Sequence, residues 1–379
     1  MTTEEILLCL LRNEICGKEL LADFDLTDKI IDLYRLSKRH DIAHLIGDAL
    51  FRNELLPENK VGEAFKEQMM LAVLRVEQQT AELERISAAL EDAKIPYIPL
   101  KGAVIRGLYP KAWMRTSCDI DILVKKEDIK KATHSLIEIG FETDGKENFH
   151  DIHFYNGNIH LELHFSICEN DKRLDAVLSK VWDHAEKVGD YEYAELPEYF
   201  VFHHIAHMAY HFVGGGCGIR PIIDLWILKQ RGFYQEEKLL PLLEKSNLVK
   251  FYQSVCKLTG VWMNSEKHDD LTLQTERYIL SGGVYGTSDN ANAAGAAKSK
   301  GKRKYLLKIA FPPYKIMCII YPSLKKRKIL LPFYYIHRIF AKLFGKDRQK
   351  VKAKIDNTMS QSQEDILSVG RLLEELELK

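Results

Sequence analysis

Apolar positions along the chain change their period several times, and each change marks a different kind of element. From residue 4 to residue 94 they recur every three or four places, at Ile6, Leu7, Leu10 and Leu11, then Ile42, Leu45, Ile46 and Ala49, then Met69, Val73, Val76, Leu83, Ile86 and Leu90. That spacing lines one face of a helix, so the segment reads as helices broken at Pro57. A short β-like run, Tyr97 to Leu100, follows, with Pro96 and Pro99 at the entry to the central strand. Asp119 and Asp121 then alternate with Ile120, Ile122 and Val124, the period of two expected of a strand with one polar face. Helical spacing returns at Ile129, Ala132, Leu136 and Ile137 and stops at Gly140. Two further strands, His153 to Tyr155 and Ile159 to Ile167, flank Asn156, Gly157 and Asn158, a hairpin turn. From Glu195 the chain is helical again, with Pro197 in a first turn and amphipathic stretches through Trp262.

This order predicts an α+β protein with a small mixed sheet near residues 95–185. Helical segments 1–94 and 186–280 would flank it. Residues 281–304, rich in Gly, Ala, Ser and Asn, predict a flexible linker, and 305–379 a basic helical segment.

The polar positions supply candidate chemistry. Asp119 and Asp121 point the same way, and two carboxylates so placed repel unless a cation sits between them, which suggests a hard divalent ion such as magnesium. A solvated strand face is the plainer reading of the same pattern. Lys101, Gly102 and Ala103 follow the Tyr97 run and open a helix expected over Val104 to Tyr109, where backbone amides and the Lys101 charge could meet a phosphate. In the later strand Ile159, Leu161, Leu163 and Phe165 share one face, leaving His160, Glu162 and His164 on the other. Glu162 is therefore a candidate third carboxylate, and His164 a group to orient it or to touch substrate. His203, His207 and His211 stack along one helix face, without the glutamate of a zinc-protease motif. Contact with substrate or phosphate, or hydrogen bonding at a helix interface, suits them better than a structural metal. Arg220 after the Gly214 to Gly216 turn could face a cleft, or simply pair with Asp224 one helical turn on.

At these residues the chain resembles the nucleotidyltransferase superfamily that includes DNA polymerase β. It is more closely similar to a group of uncharacterised bacterial nucleotidyltransferases, through the Leu100, Lys101, Gly102 turn, the strand from Arg115 to Val124 and the Glu162, Leu163, His164 strand. Ala103 stands where the superfamily has glycine or serine. The resemblance implies a nucleotidyltransferase core in which Asp119, Asp121 and Glu162 hold magnesium or manganese and catalyse, while Lys101, Gly102 and Arg115 bind the phosphates of a nucleoside triphosphate. It implies nucleotidyl transfer with loss of pyrophosphate, with His164, His207 and Arg220 as candidate substrate contacts. A silent nucleotide-binding module and an adaptor for anionic surfaces are the rival readings.

Composition narrows the setting. Seven cysteines are scattered without a Cys-x-x-Cys pair, which argues against a zinc ribbon or disulfide framework and for a reducing, cytoplasmic location. No apolar run reaches the roughly 20 residues that a membrane span requires. The formal net charge of zero hides an asymmetry: residues 301–379 carry 18 Lys and Arg against 7 Asp and Glu. Aromatics interleave with those cations. The tail could bind nucleic acid or a membrane surface, but docking of Phe311, Ile316, Ile319, Phe333 and Phe340 onto the more acidic first part is the simpler expectation, with Lys325 to Lys328 left in water.

Overall fold

The alternating segments form one mixed sheet of four strands, β1 (Tyr97–Pro99), β2 (Ile120–Val124), β3 (Asp151–Asn156) and β4 (Ile159–His164), in the order β1-β2-β4-β3. The computed structural model describes residues 1–20, 26–146, 148–345 and 348–379. β2 runs parallel to β4 and antiparallel to β1, and β3 with β4 is the expected hairpin. The parallel step lets helix Ile129–Glu138 and β3 intervene between β2 and β4. Its register sets Asp121 directly beside Glu162, and Glu162 beside His153 on the far side.

One sheet face is apolar. Ile120, Ile122, Val124, Leu161 and Leu163 pack there with Ile86 and Leu90 of the long helix Lys60–Asp92 and with Leu136 of helix Ile129–Glu138. The other face is divided. Its Ile98 and Leu123 join the large helical core, while Asp121, Glu162 and His164 stay on the polar part. That core joins Leu7 and Leu10, Phe202 and Ile205, Val255 and Leu258, and Leu373 and Leu376, so helices from both ends of the chain share it. The α+β class and the small mixed sheet are as the pattern predicts. A two-stranded ribbon, β5 (Ala185–Lys187) with β6 (Tyr193–Glu195), leads into helix Pro197–Val213.

Two expectations about the C-terminal part require correction. Residues 281–304 are not simply a flexible loop: they contain helix Ser288–Lys298, capped by the Thr287 hydroxyl accepting from the Asn290 amide. Ala293, Ala294 and Ala296 are buried, and Gly370 lets helix Gln363–Glu375 approach Ala297 closely. Alanine is the strongest helix former and loses no side-chain entropy, so an Ala-rich stretch with a neighbour to pack on folds. The basic tail does not dock through its large side chains either. Phe311, Ile316, Ile319, Phe333 and Phe340 are all exposed, Phe333 by 63% and Phe340 by 60%. The anchor is the terminal helix, whose Leu372 and Leu373, with Leu376 and Leu378 after it, enter the core.

Candidate active site

The polar part of the sheet forms one wall of a cavity of about 410 Å³, within the range of small-ligand sites. Asp119, Asp121, Glu162 and His164 line it from the sheet side, Lys101 and Gly102 from the turn after β1, and His203, His207 and His211 from helix Pro197–Val213 opposite. Asp119 precedes β2 on a turn held by a buried web: the Ser117 hydroxyl donates to the Asp119 carbonyl at 2.9 Å, and Arg106 Nη2 reaches Gln79 Oε1 at 2.7 Å and the Ser117 hydroxyl at 3.0 Å.

His164 Nε2 lies 2.9 Å from Asp121 Oδ1 and 3.5 Å from Glu162 Oε2, so strand alternation brings these three together more tightly than pattern alone implied. Burial alone would raise Asp121, but the His164 hydrogen bond and charge outweigh it and hold the carboxyl below its ordinary value. Burial, with the charges of Asp121 and Asp119 beside it, pushes Glu162 up to about 7. Burial and Asp121 likewise push Asp119 up to about 6. Shifts of this kind record negative charge that the protein itself leaves poorly compensated. Asp121, Glu162 and His164 each offer a ligand atom within 4.8 Å of the others. The donor set fits a divalent cation: its carboxylates suit magnesium or manganese, and its imidazole is a poorer donor for magnesium than for a transition ion.

Lys101 starts helix Lys101–Arg106, three residues earlier than the sequence pattern placed it. Desolvation in the cleft lowers its pKa, although Glu169, Asp121, Glu195 and Asp119 oppose that shift. At Gly102 an added methyl would be in ordinary contact with the Ser117 side chain at 3.5 Å, so packing within the protein does not demand glycine.

The histidine helix is tied down by carboxylates that the sequence reading did not single out. His203 Nδ1 is 2.9 Å from Glu195 Oε1, and His207 Nδ1 is 2.7 Å from Glu169 Oε1. His211 packs its ring against His207 and towards Tyr285. Removal from water, then the Lys101 charge, keeps His207 well below and His211 at about 4, so both are neutral at pH 7.

Arg220 and Asp224 do not form the helical pair that their spacing suggested. Arg220 Nη1 bonds Asp41 Oδ2 at 2.9 Å and the Thr116 carbonyl at 2.8 Å. Asp224, fully buried, is held instead by Arg115 Nε at 2.8 and 3.0 Å and by the Tyr109 hydroxyl at 2.7 Å. A buried carboxylate takes whichever partners can fully satisfy it, and here these come from 109 and 115 residues away. Arg115 stands on the cavity wall with its Nε committed to Asp224. Both arginines thereby buttress the turn that carries Asp119. Tyr285, 71% exposed at the cavity mouth, was also missed, because its loop had no periodicity to read.

Against known proteins, a family model described as "Uncharacterised nucleotidyltransferase" matches residues 28–264. No curated protein and no solved structure matches the chain.

Proposed function

The chain belongs to the uncharacterised nucleotidyltransferase family, and on that premise we propose that it moves a nucleoside monophosphate from a nucleoside triphosphate to the nucleophile of an unidentified acceptor. Magnesium or manganese would be held by Asp119, Asp121 and Glu162, with His164 fixing Asp121. When bound, the ion would draw charge from the phosphate oxygens and ease departure of pyrophosphate. Lys101 adds a positive charge on the phosphate side. In the transfer, the acceptor oxygen or nitrogen bonds to the α-phosphorus as the bond to the β-phosphate oxygen breaks. The acceptor proton passes to a carboxylate of this cluster. Tyr285 offers an exposed ring at the cavity mouth for a base or acceptor to stack on. Arg115 and Arg220 act by positioning the Asp119 turn.

The observation that carries this reading is the row of Asp121 beside Glu162, bonded to His164, in the cavity that Lys101 also lines. To test it, the purified chain is incubated with each labelled nucleoside triphosphate, magnesium or manganese, and fractionated small-molecule, RNA and protein acceptors. Transfer of label with equimolar pyrophosphate, lost in Asp121→Asn, is expected. Nucleotide binding without transfer would favour the silent module, and absence of both would overturn the proposal.

A further inference from the structure

Beyond the cleft, the outer edge of the same sheet carries a second group of donors. His153 on β3 faces Glu162 across the hairpin, and His160 lies two places before Glu162 on β4. His153 Nδ1 is 2.8 Å from His160 Nε2, and these atoms are 3.8 and 3.9 Å from Glu162 Oε1. The three ligand atoms fall within 4.8 Å of one another, and neither histidine lines the cleft. We propose that His153, His160 and Glu162 form a second cation site, selective for a first-row transition dication such as zinc over magnesium.

The supporting geometry extends past the three donors. His153 Nε2 lies 3.2 Å from Asp151 Oδ1, and buried Asp151 is itself held by Asn148 Nδ2 at 2.7 Å. A carboxylate behind one ring nitrogen fixes the proton there and leaves the other, Nδ1, with its lone pair towards His160 and Glu162, as a metal-binding histidine is held by its carboxylate. Tyr155 stacks on His160 at 4.8 Å and fixes that ring too. Two imidazoles with one carboxylate suit zinc, cobalt or manganese, whereas magnesium prefers oxygen and water. Glu162 turns Oε1 to this pair and Oε2 to His164, so one carboxylate joins the two groups of donors. Filling the outer site would neutralise and orient Glu162 from outside the cleft.

This inference does not depend on nucleotide chemistry, and its test uses none. Cobalt(II) is titrated into the metal-free full-length protein and followed by its visible ligand-field bands. Wild type should take cobalt both at the outer site and in the cleft, and Asp121→Asn should weaken only the cleft equivalent and keep the outer one. His153→Gln and His160→Gln, each made in the Asp121→Asn background, should lose the remaining bands and at least tenfold in affinity, and Asp151→Asn about tenfold. Equal binding by the two histidine variants, or no cobalt bound by wild type, would overturn it. In that case the histidines are a hydrogen-bonded pair and nothing more.

A separate observation carries a second inference. Residues 301–345 contain 11 Lys and Arg and no Asp or Glu. In helix Leu331–Phe344 one side is tied down, with the Tyr334 hydroxyl 2.7 Å from that of Ser323, Tyr335 bonded to the Pro312 carbonyl, and Arg338 to the carbonyls of Ile309 and Ala310. The other side leaves Phe333, Ile336, Phe340 and Leu343 exposed at helical spacing, with Ile329, 89% exposed, just before it. No described helix is long and apolar enough to cross a membrane. We infer that this face lies on an anionic phospholipid surface, its apolar side chains in the acyl boundary and its cations at the headgroups. Nucleic acid would match the charge and the aromatics but gives the exposed aliphatic residues nothing to bury against.

Full-length protein should co-sediment with vesicles containing phosphatidylglycerol and not with pure phosphatidylcholine. Phe333→Ser with Phe340→Ser should weaken this at least tenfold while the melting curve is unchanged. Failure to bind the anionic vesicles would overturn the inference. So would a concentration-dependent dimer that the double variant abolishes, since a second copy would then be the cover.

Discussion

Asp121 shows how one side chain serves two needs. Its carboxylate is buried, yet the His164 bond keeps it ionised, while Glu162 beside it is pushed up to about 7 by burial and by that same charge. Asp121→Asn should therefore leave the fold intact, return Glu162 towards an ordinary value, and weaken manganese binding in the cleft at least tenfold, as electron paramagnetic resonance titration would show. Unchanged manganese affinity would contradict a role for Asp121 as ligand. Burial also pushes His40, on the cavity lining, and His44 down to about 4. Their ordinary value in the unfolded chain is about 6.5. The unfolded chain then binds protons first as pH falls, so the stability they contribute is complete above about 6.5 and is lost progressively towards 4, at up to about 1.4 kcal/mol per pH unit for each. Denaturant melts between pH 7 and 4.5 should show this decline, and His44→Gln should make it shallower. A decline of the same steepness in the variant would mean that His44 is not its source.

Among elements, the crossing of two glycine turns holds the cavity mouth. Gly286 has a φ of +70°, and a methyl group there would collide with the backbone of Gly215 and Gly216. The Thr287 amide donates to the Gly215 carbonyl at 3.3 Å, so this contact joins the end of the histidine helix to the loop that carries Tyr285. Gly286→Ala must both strain φ and part the two turns, and should destabilise the protein by roughly 1–3 kcal/mol. It should also raise protease sensitivity near Tyr285 more than elsewhere, and limited proteolysis with mass mapping would check that. Gly157 makes a useful contrast: its φ is also positive, but nothing lies within 4 Å of an added methyl, so only the backbone strain is felt.

At the scale of the molecule, the N-terminal helices, the histidine helix and the last helix close one core around the sheet. Leu373 is fully buried there, 0% exposed. Leu373→Ala should cost about 2–5 kcal/mol, and removal of residues 363–379 should lead to aggregation. Removal of the exposed Phe333 and Phe340 rings should cost little by comparison. Calorimetry of the two kinds of variant would separate the anchor from the free face, and equal losses would mean that the exposed rings are covered in solution.

Alternation by twos and by threes and fours was enough to show that Asp119 and Asp121 share one strand face and His160, Glu162 and His164 another, that Lys101 stands at a strand-to-helix turn, and that helices surround a small sheet. Periodicity reports the face a residue occupies because local backbone geometry is the same wherever the segment lies. It carries no information about what comes to meet that face. Pairing of Arg115 with Asp224, of His207 with Glu169 and of His203 with Glu195 joins positions that only the folded chain brings together. The same holds for burial. Phe333 and Leu373 lie on equally apolar helical stripes, and tertiary packing decided that one faces outward while the other enters the core, because a core has room for only the stripe whose helix reaches it.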